Sequence, residues 1–275
     1  MKRKRKLFCE ISPLTYEISR SKNIIVRNIK DMFSSTAFAR EISEEKLDVV
    51  VYQHSSLIRR KLGNVDSELQ NNKAVNLVLS TPKVNGIIIN PGEVFSFWKL
   101  VGNPTEAKGY KKGLTIVNGK ESQGIGGGMC QFTNLIHWMT LHTPLTIIEH
   151  HHHDEFDLFP DYGRKVPFGT GTSIYYNYVD YRIKNTTNQP FQIIVYTTDE
   201  YLCGEIRTTR ELENSYHIHC ENEYFSREDG IVYRNNEIYR HIFNRNSGEL
   251  ISKECIKVNH AKVMYDTSNL DIIEK

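Results

Sequence analysis

The chain has 275 residues, 39% hydrophobic and 25% charged, with 8 Pro and 17 Gly, so it can bury a core without covalent staples. A net charge of +2, with Lys and Arg spread along the chain, gives no electrostatic footprint for nucleic acid. No stretch reaches the roughly 18 apolar residues that read as a membrane-spanning helix.

The basic run at residues 1–6 (MKRKRK) is followed by LFCEISPLTYEIS. There Glu10, Ser12 and Pro13 break the apolar stretch of about 7–15 residues that an export signal needs, so a cytoplasmic protein is expected. Residues 1–72 read as a mainly helical segment. Ile24, Val26, Ile29 and Met32 form a helical stripe, and residues 41–51 turn towards a short strand. From Lys73 the sequence AVNLVLSTPK predicts a helix that ends near Pro82. Residues 87–89 and 94–97 predict two strands about the turn Asn90-Pro91-Gly92-Glu93, with Phe95 and Phe97 on one face and Ser96 and Trp98 on the other. Residues 114–117 with Asn118-Gly119 resemble a hairpin arm and its tight turn.

The glycines over 124–128 forbid regular structure. After them Phe132, Leu135, Ile136 and Met139 fall at helical spacing, and Thr143-Pro144 stops that helix. Strands are predicted at 173–184, 191–197 and 202–207. Beyond 211, hairpins are punctuated by Asp229-Gly230, Asn235-Asn236 and Ser247-Gly248. The fold class is α+β: N-terminal helices over 1–72, a central mixed α/β domain with antiparallel strands over 73–210, and a C-terminal β-hairpin region over 211–275.

Five scattered cysteines, Cys9, Cys130, Cys203, Cys220 and Cys255, contain no CxxC pair and predict reduced thiols, with Cys220 and Cys255 unpaired and largely buried. Cys130 stands apart because it follows Gly126-Gly127-Gly128 and opens a helix. A helix start favours thiolate, and glycines let N–H groups approach an oxyanion, an order suited to acyl transfer through a thioester. Gln131 adds an amide beside the nucleophile. Two other readings stand beside this one: a buried structural Cys at a glycine-rich crossover, and a phosphate loop, weak because the Lys-Ser/Thr of a P-loop is missing. The run from Glu149 through His150, His151, His152 and His153 supplies a candidate base. In an extended segment His151 and His153 share one face, and His150 and His152 the other. A surface histidine run is the bland alternative, preferred for His150 and His152, and a metal site on the histidines plus Cys130 is a third possibility. No cofactor is indicated.

Three stretches together resemble the VanW family: PGEVFSFWKLVGNPTEAKGYKKGLTIVNGK, GGGMCQFTNLIHWMTLHTPLTIIEHHHH and YYNYVDYRIKNTTNQPFQI, covering roughly residues 85–205. The resemblance implies a role in cell-wall peptide metabolism or glycopeptide resistance. Some members of that family are Cys-dependent L,D-transpeptidases, which implies a peptide or peptidoglycan-precursor partner here. The family cysteine falls on Cys130, its glycines on Gly126, Gly127 and Gly128, its glutamine on Gln131, and its final histidine on His153, with His151 as the second choice of base. Where family members carry Asp-Ala-Thr-Val, this chain has Gly169-Thr170-Gly171-Thr172-Ser173-Ile174, so Asp180 or Glu149 is expected to orient the base. A non-catalytic module that grips a peptide in the same groove is the alternative function.

Overall fold

Ser12 accepts the Thr15 N–H at 3.2 Å and Pro13 occupies the first turn, so helix α1 begins there and runs Pro13–Met32. The structure is a computed structural model, and the residues it describes are 6–60, 66–117, 120–152, 155–161 and 163–275. After α1 come β1 (Val49–Leu57), α2 (Ser67–Ser80), β2 (Ile87–Ile89), β3 (Val94–Ser96), α3 (Phe97–Val101), β4 (Lys112–Val117), β5 (Lys120–Ile125) and α4 (Cys130–Leu141). The chain continues through β6 (Thr146–Glu149), β7 (Phe156–Asp157), β8 (Arg182–Lys184), β9 (Phe191–Thr197) and β10 (Tyr201–Thr208). It closes with β11 (Asn214–Glu228), β12 (Ile231–Asn244), β13 (Leu250–Val263) and β14 (Ile272–Glu274). Helices early and antiparallel strands late make the fold α+β.

The central sheet has the order β1-β10-β9-β2, all antiparallel. Helix α4 lies across its β10 and β1 side. The contact is close because Gly204 on β10 has no side chain: a Cβ there would meet Met139 Cε at 2.6 Å and Leu135 Cδ2 at 3.1 Å. Phe132, Leu135, Ile136 and Met139, the predicted apolar face, are all buried in the core. The N-terminal stretch thus carries both a helix and β1, a strand of the central sheet. A second small sheet orders β3-β8-β6, and β4 pairs with β5 as a hairpin. The Asn118-Gly119 turn predicted for that hairpin lies outside the described residues. Strands β11, β12 and β13 form a long meander with β14 and β7 as parallel edge strands.

Several local expectations are corrected. The strand in VFSFW stops at Ser96, whose side chain accepts the Lys99 N–H at 3.3 Å and turns the chain into α3. Phe95, Phe97 and Trp98 are all buried, as residues of the core. The strand predicted over 173–184 is reduced to β8, because residues 172–181 pack as a loop against α4 and α3. Asn235-Asn236 is not a turn. Both side chains are buried within β12, where they bond to Ser226 and to the Phe168 carbonyl. Asp229-Gly230, with φ of 49° and 76°, does make the tight β11–β12 turn. Cys255 is exposed and Cys220 only half-buried, so neither is the core residue expected.

Helix α1 contributes no buried residue, and Val26, Ile29 and Met32 of its stripe are exposed. Polar ties hold it. Arg182, itself buried, takes both oxygens of Asp31 at 2.7 and 2.6 Å and Asp180 at 2.8 Å, Arg27 pairs with Glu149, and Asn177 donates to Asn28 at 2.8 Å. Among the described residues no helix is long and apolar enough to cross a membrane.

Arg182→Met is expected to leave buried Asp180 without its cation and Asp31 with Lys99 and Arg27 alone, and to destabilise the protein by about 3–5 kcal/mol. Denaturant titration measures this, and limited proteolysis should cut within α1 before the rest of the chain.

Candidate functional site

The first requirement of the site is that two main chains touch. An ideal Cβ on Gly127 would meet Gly113 O at 2.2 Å, and one on Gly113 would meet Gly127 O at 2.4 Å, so both positions must lack a side chain. Asn76 of α2, fully buried, fastens this crossing. Its amide donates to Lys111 O at 3.0 Å and Gly127 O at 2.9 Å, and its oxygen accepts the Lys111 N–H at 2.8 Å. Gly128, at φ +85°, turns the chain into α4, and the stem of Lys73 fills the space where its Cβ would stand, at 2.4 Å from Lys73 Cγ.

Cys130 is therefore the first residue of α4 and lies half-buried on the wall of a cavity of about 330 Å³. Thr170, Gly171 and Thr172 line the same cavity. Asn134, one turn after Cys130, accepts the Thr172 N–H at 2.6 Å and its hydroxyl at 2.8 Å, and Thr133 bonds the same hydroxyl at 2.5 Å. This clamp sets the Ile174 N–H on the Cys130 sulfur. Burial pushes the thiol up from its ordinary value, more than that N–H and the cysteine's own N–H pull it down.

The loop residues divide by role. Gly126 and Gly127 donate their N–H groups to Lys111 O and Gly124 O at 3.0 and 2.9 Å, so they hold the loop and do not point at a ligand. Gln131 lines the same cavity and donates to Ser56 Oγ and Leu57 O, both at 2.9 Å, pinning α4 to β1. The N–H groups of Gly128, Met129 and Cys130 are left at the helix start.

The histidine run does alternate. His150 and His152 face inward, and His151 is exposed. His150 stacks on buried His137 with ring centroids 4.3 Å apart and bonds Gly171 O at 2.8 Å. His152 meets Lys257 at 3.1 Å and lines a second cavity of about 220 Å³, which shares Asn134, Gly171 and Thr172 with the first. His151 bonds Glu149 Oε1 at 3.1 Å and does not line the Cys130 cavity, and His153 lies outside the described residues. Asp180 is spent on Ser96, the Trp98 and Tyr181 N–H groups and Arg182, whereas Glu149 bonds His151 of the run.

Three residues that pattern reading missed line the same cavity as Cys130: His54 of β1, Lys73 of α2 and Arg60. His54 stands edge-on to Trp138, and burial first, then Arg60 and Lys165, lowers its pKa. Lys73 is 7% exposed and has no ion-pair partner among the described residues. Burial, with Arg60 and Arg59, pulls it down to about 7. Asn134 was missed too, although its place one helical turn from Cys130 puts it on the same face of α4.

A family model described as "VanW like protein" matches residues 72–207. The chain is 33% identical over 233 residues to the vancomycin B-type resistance protein VanW of Enterococcus faecalis, covering 85% of this chain and 84% of that one. It is also 32% identical over 121 residues to the uncharacterized protein YoaR of Bacillus subtilis, covering 43% of this chain and 37% of that one. No solved structure matches.

Lys73 generates a stability test. Its pKa falls from 10.5 to about 7 on folding, so the unfolded chain binds the extra proton between those values and stability should rise with pH across that window. Lys73→Met is expected to flatten that rise and to stabilise the protein by roughly 2–4 kcal/mol at pH 7. Melting curves at several pH values read both effects.

Proposed function

The chain belongs to the VanW family, and on that premise we propose that it acts on cell-wall peptides, by acyl transfer through Cys130, in the setting of vancomycin resistance for which its Enterococcus faecalis relative is named. The observation that carries the reading is the placement of the thiol. Cys130 opens α4 on the wall of a ligand-sized cavity, at the end of a loop whose glycines are required by backbone contact, with a main-chain N–H on its sulfur.

In this reading the Cys130 sulfur attacks a peptide carbonyl, the C–N bond breaks, and a thioester forms. The thiol proton passes through a base to the leaving amine, and an acceptor amine or water then attacks the thioester and restores the thiol. The N–H groups of Gly128 and Met129 are the loop donors within the first turn for the oxyanion. His54, which lines the same cavity, is the described imidazole best placed to carry the proton, while His151 and His153 remain the candidates from the family pattern. Because burial raises the thiol and lowers His54, the two rest as a neutral pair, and proton removal accompanies attack.

One observation favours a second reading, a binding module without turnover: a thiol raised by burial is a poor standing nucleophile. Incubation with tetrapeptide-containing muropeptides, followed by mass spectrometry, separates the two. The acyl-transfer reading expects an adduct on Cys130 with loss of the terminal residue, abolished in Cys130→Ala, and a rate lowered by about 10²-fold or more in His54→Ala. Binding of the muropeptides with no adduct and no released residue would leave the binding module as the function.

A further inference from the structure

The Cys130 cavity has an unbalanced set of charges. No Asp or Glu lines it among the described residues, whereas Arg60, Lys73 and Arg164 all do. Arg164 is already committed to Asp161 at 2.5 Å. Arg60 and Lys73 have no ion-pair or hydrogen-bond partner among the described residues, and Lys73 is more than nine-tenths buried. Beside Lys73 on the same helix, Gln70 is equally buried and lines the same space, and its Oε1 accepts no hydrogen bond. Two cations without a counter-ion and one acceptor without a donor therefore converge on one cavity, one residue pair away from the thiol through Gly128.

We propose that this corner is a subsite for the C-terminal residue of a peptide, with Lys73 and Arg60 receiving its carboxylate and Gln70 Oε1 accepting its amide N–H. The peptide chemistry rests on the acyl-transfer and binding readings above; the anion preference does not. A carboxylate supplies what the cavity lacks, and one flanked by an amide satisfies Gln70 in the same step. The low pKa of Lys73 is what a buried ammonium shows when its only charged neighbours are arginines, and an anion bound against it would restore the charged form. Among the described residues, the other lysine or arginine side chains of comparable burial are already answered: Arg182 by Asp31 and Asp180, Arg234 by Asp157, Asp161 and Glu223. The exception falls beside the candidate nucleophile, and there the carboxylate would belong to the residue released when Cys130 attacks the preceding carbonyl.

Two measurements on the full chain test the subsite without requiring turnover. In the Cys130→Ala protein, calorimetry compares a tetrapeptide muropeptide with its C-terminal amide. The acid is expected to bind at least about tenfold more tightly, the discrimination of one charge-assisted hydrogen bond, and Lys73→Met or Arg60→Gln should bring it down to the amide. In the unsubstituted protein, the ratio of iodoacetate to iodoacetamide alkylation at Cys130 is read by peptide mass spectrometry against the exposed Cys255. The ratio cancels the thiolate fraction, and it should be several-fold higher at Cys130 and fall to the Cys255 value in Lys73→Met. Equal binding of acid and amide, binding of neither, or a preference that survives both substitutions would overturn the subsite. A missing Cys130 adduct with muropeptides would instead count against acyl transfer and leave these two results untouched.

Discussion

The crossing of Gly127 over Gly113 sets the position of everything else at the site. Neither residue can carry a Cβ, since each would press into the other's main chain at 2.2–2.4 Å. Asn76 then locks the crossing with three hydrogen bonds from a fully buried position, where leaving any of them unmade would be expensive. With the loop fixed against the start of β4 and the body of α2, the first turn of α4 has one place to begin. Cys130 is thereby aimed at the cavity, and Lys73 is laid across Gly128 into the same space. One backbone contact couples the thiol to the cation.

Elsewhere in the fold the most deeply buried charges are compensated. Asp180 is buried and raised by desolvation, yet it accepts from Ser96, Trp98, Tyr181 and Arg182. Arg234 stacks between Phe168 and Phe225 and is met by three carboxylates. Such networks are neutral to mildly favourable for stability. Around Cys130 that compensation is missing among the described residues: Lys73 lacks an anion and Gln70 Oε1 lacks a donor. Local sequence rules that are broken together, at a cavity, mark a place where the chain is shaped for something other than folding.

Much of this was legible in the residues. The glycine run, the apolar face of α4, and strands β9 and β10 follow from local pattern, because each is decided by spacing within about a dozen residues. What pattern could not supply is long-range. Strand β1 pairs with β10 across some 150 residues of sequence, and nothing in VVVYQHSSL announces that partner. The VFSFW strand ends early because Asp180, far along the chain, takes the Trp98 N–H at 3.0 Å. The histidine alternation was readable from period two, but which face turns inward is decided by His137 and the Gly171 carbonyl. Lys73 looked like an ordinary helix residue. Its meaning comes only from the walls that α4 and residues 170–172 build around it.

These facts constrain how a thiol here could work. Cys130 and His54 are both pushed by burial towards their neutral forms, so the resting site holds no preformed ion pair. A substrate that brings a carboxylate changes that balance, because its charge is met by Lys73 and Arg60 and the cavity loses water as it fills. In the drier site the transfer of a proton from sulfur to imidazole creates two charges of opposite sign beside one another. That separation is tolerable where a cation already sits across Gly128 and main-chain N–H groups of the helix start face the reacting carbonyl. In the acyl-transfer reading, chemistry is then favoured by an anionic ligand, which brings the charge that the resting cavity lacks.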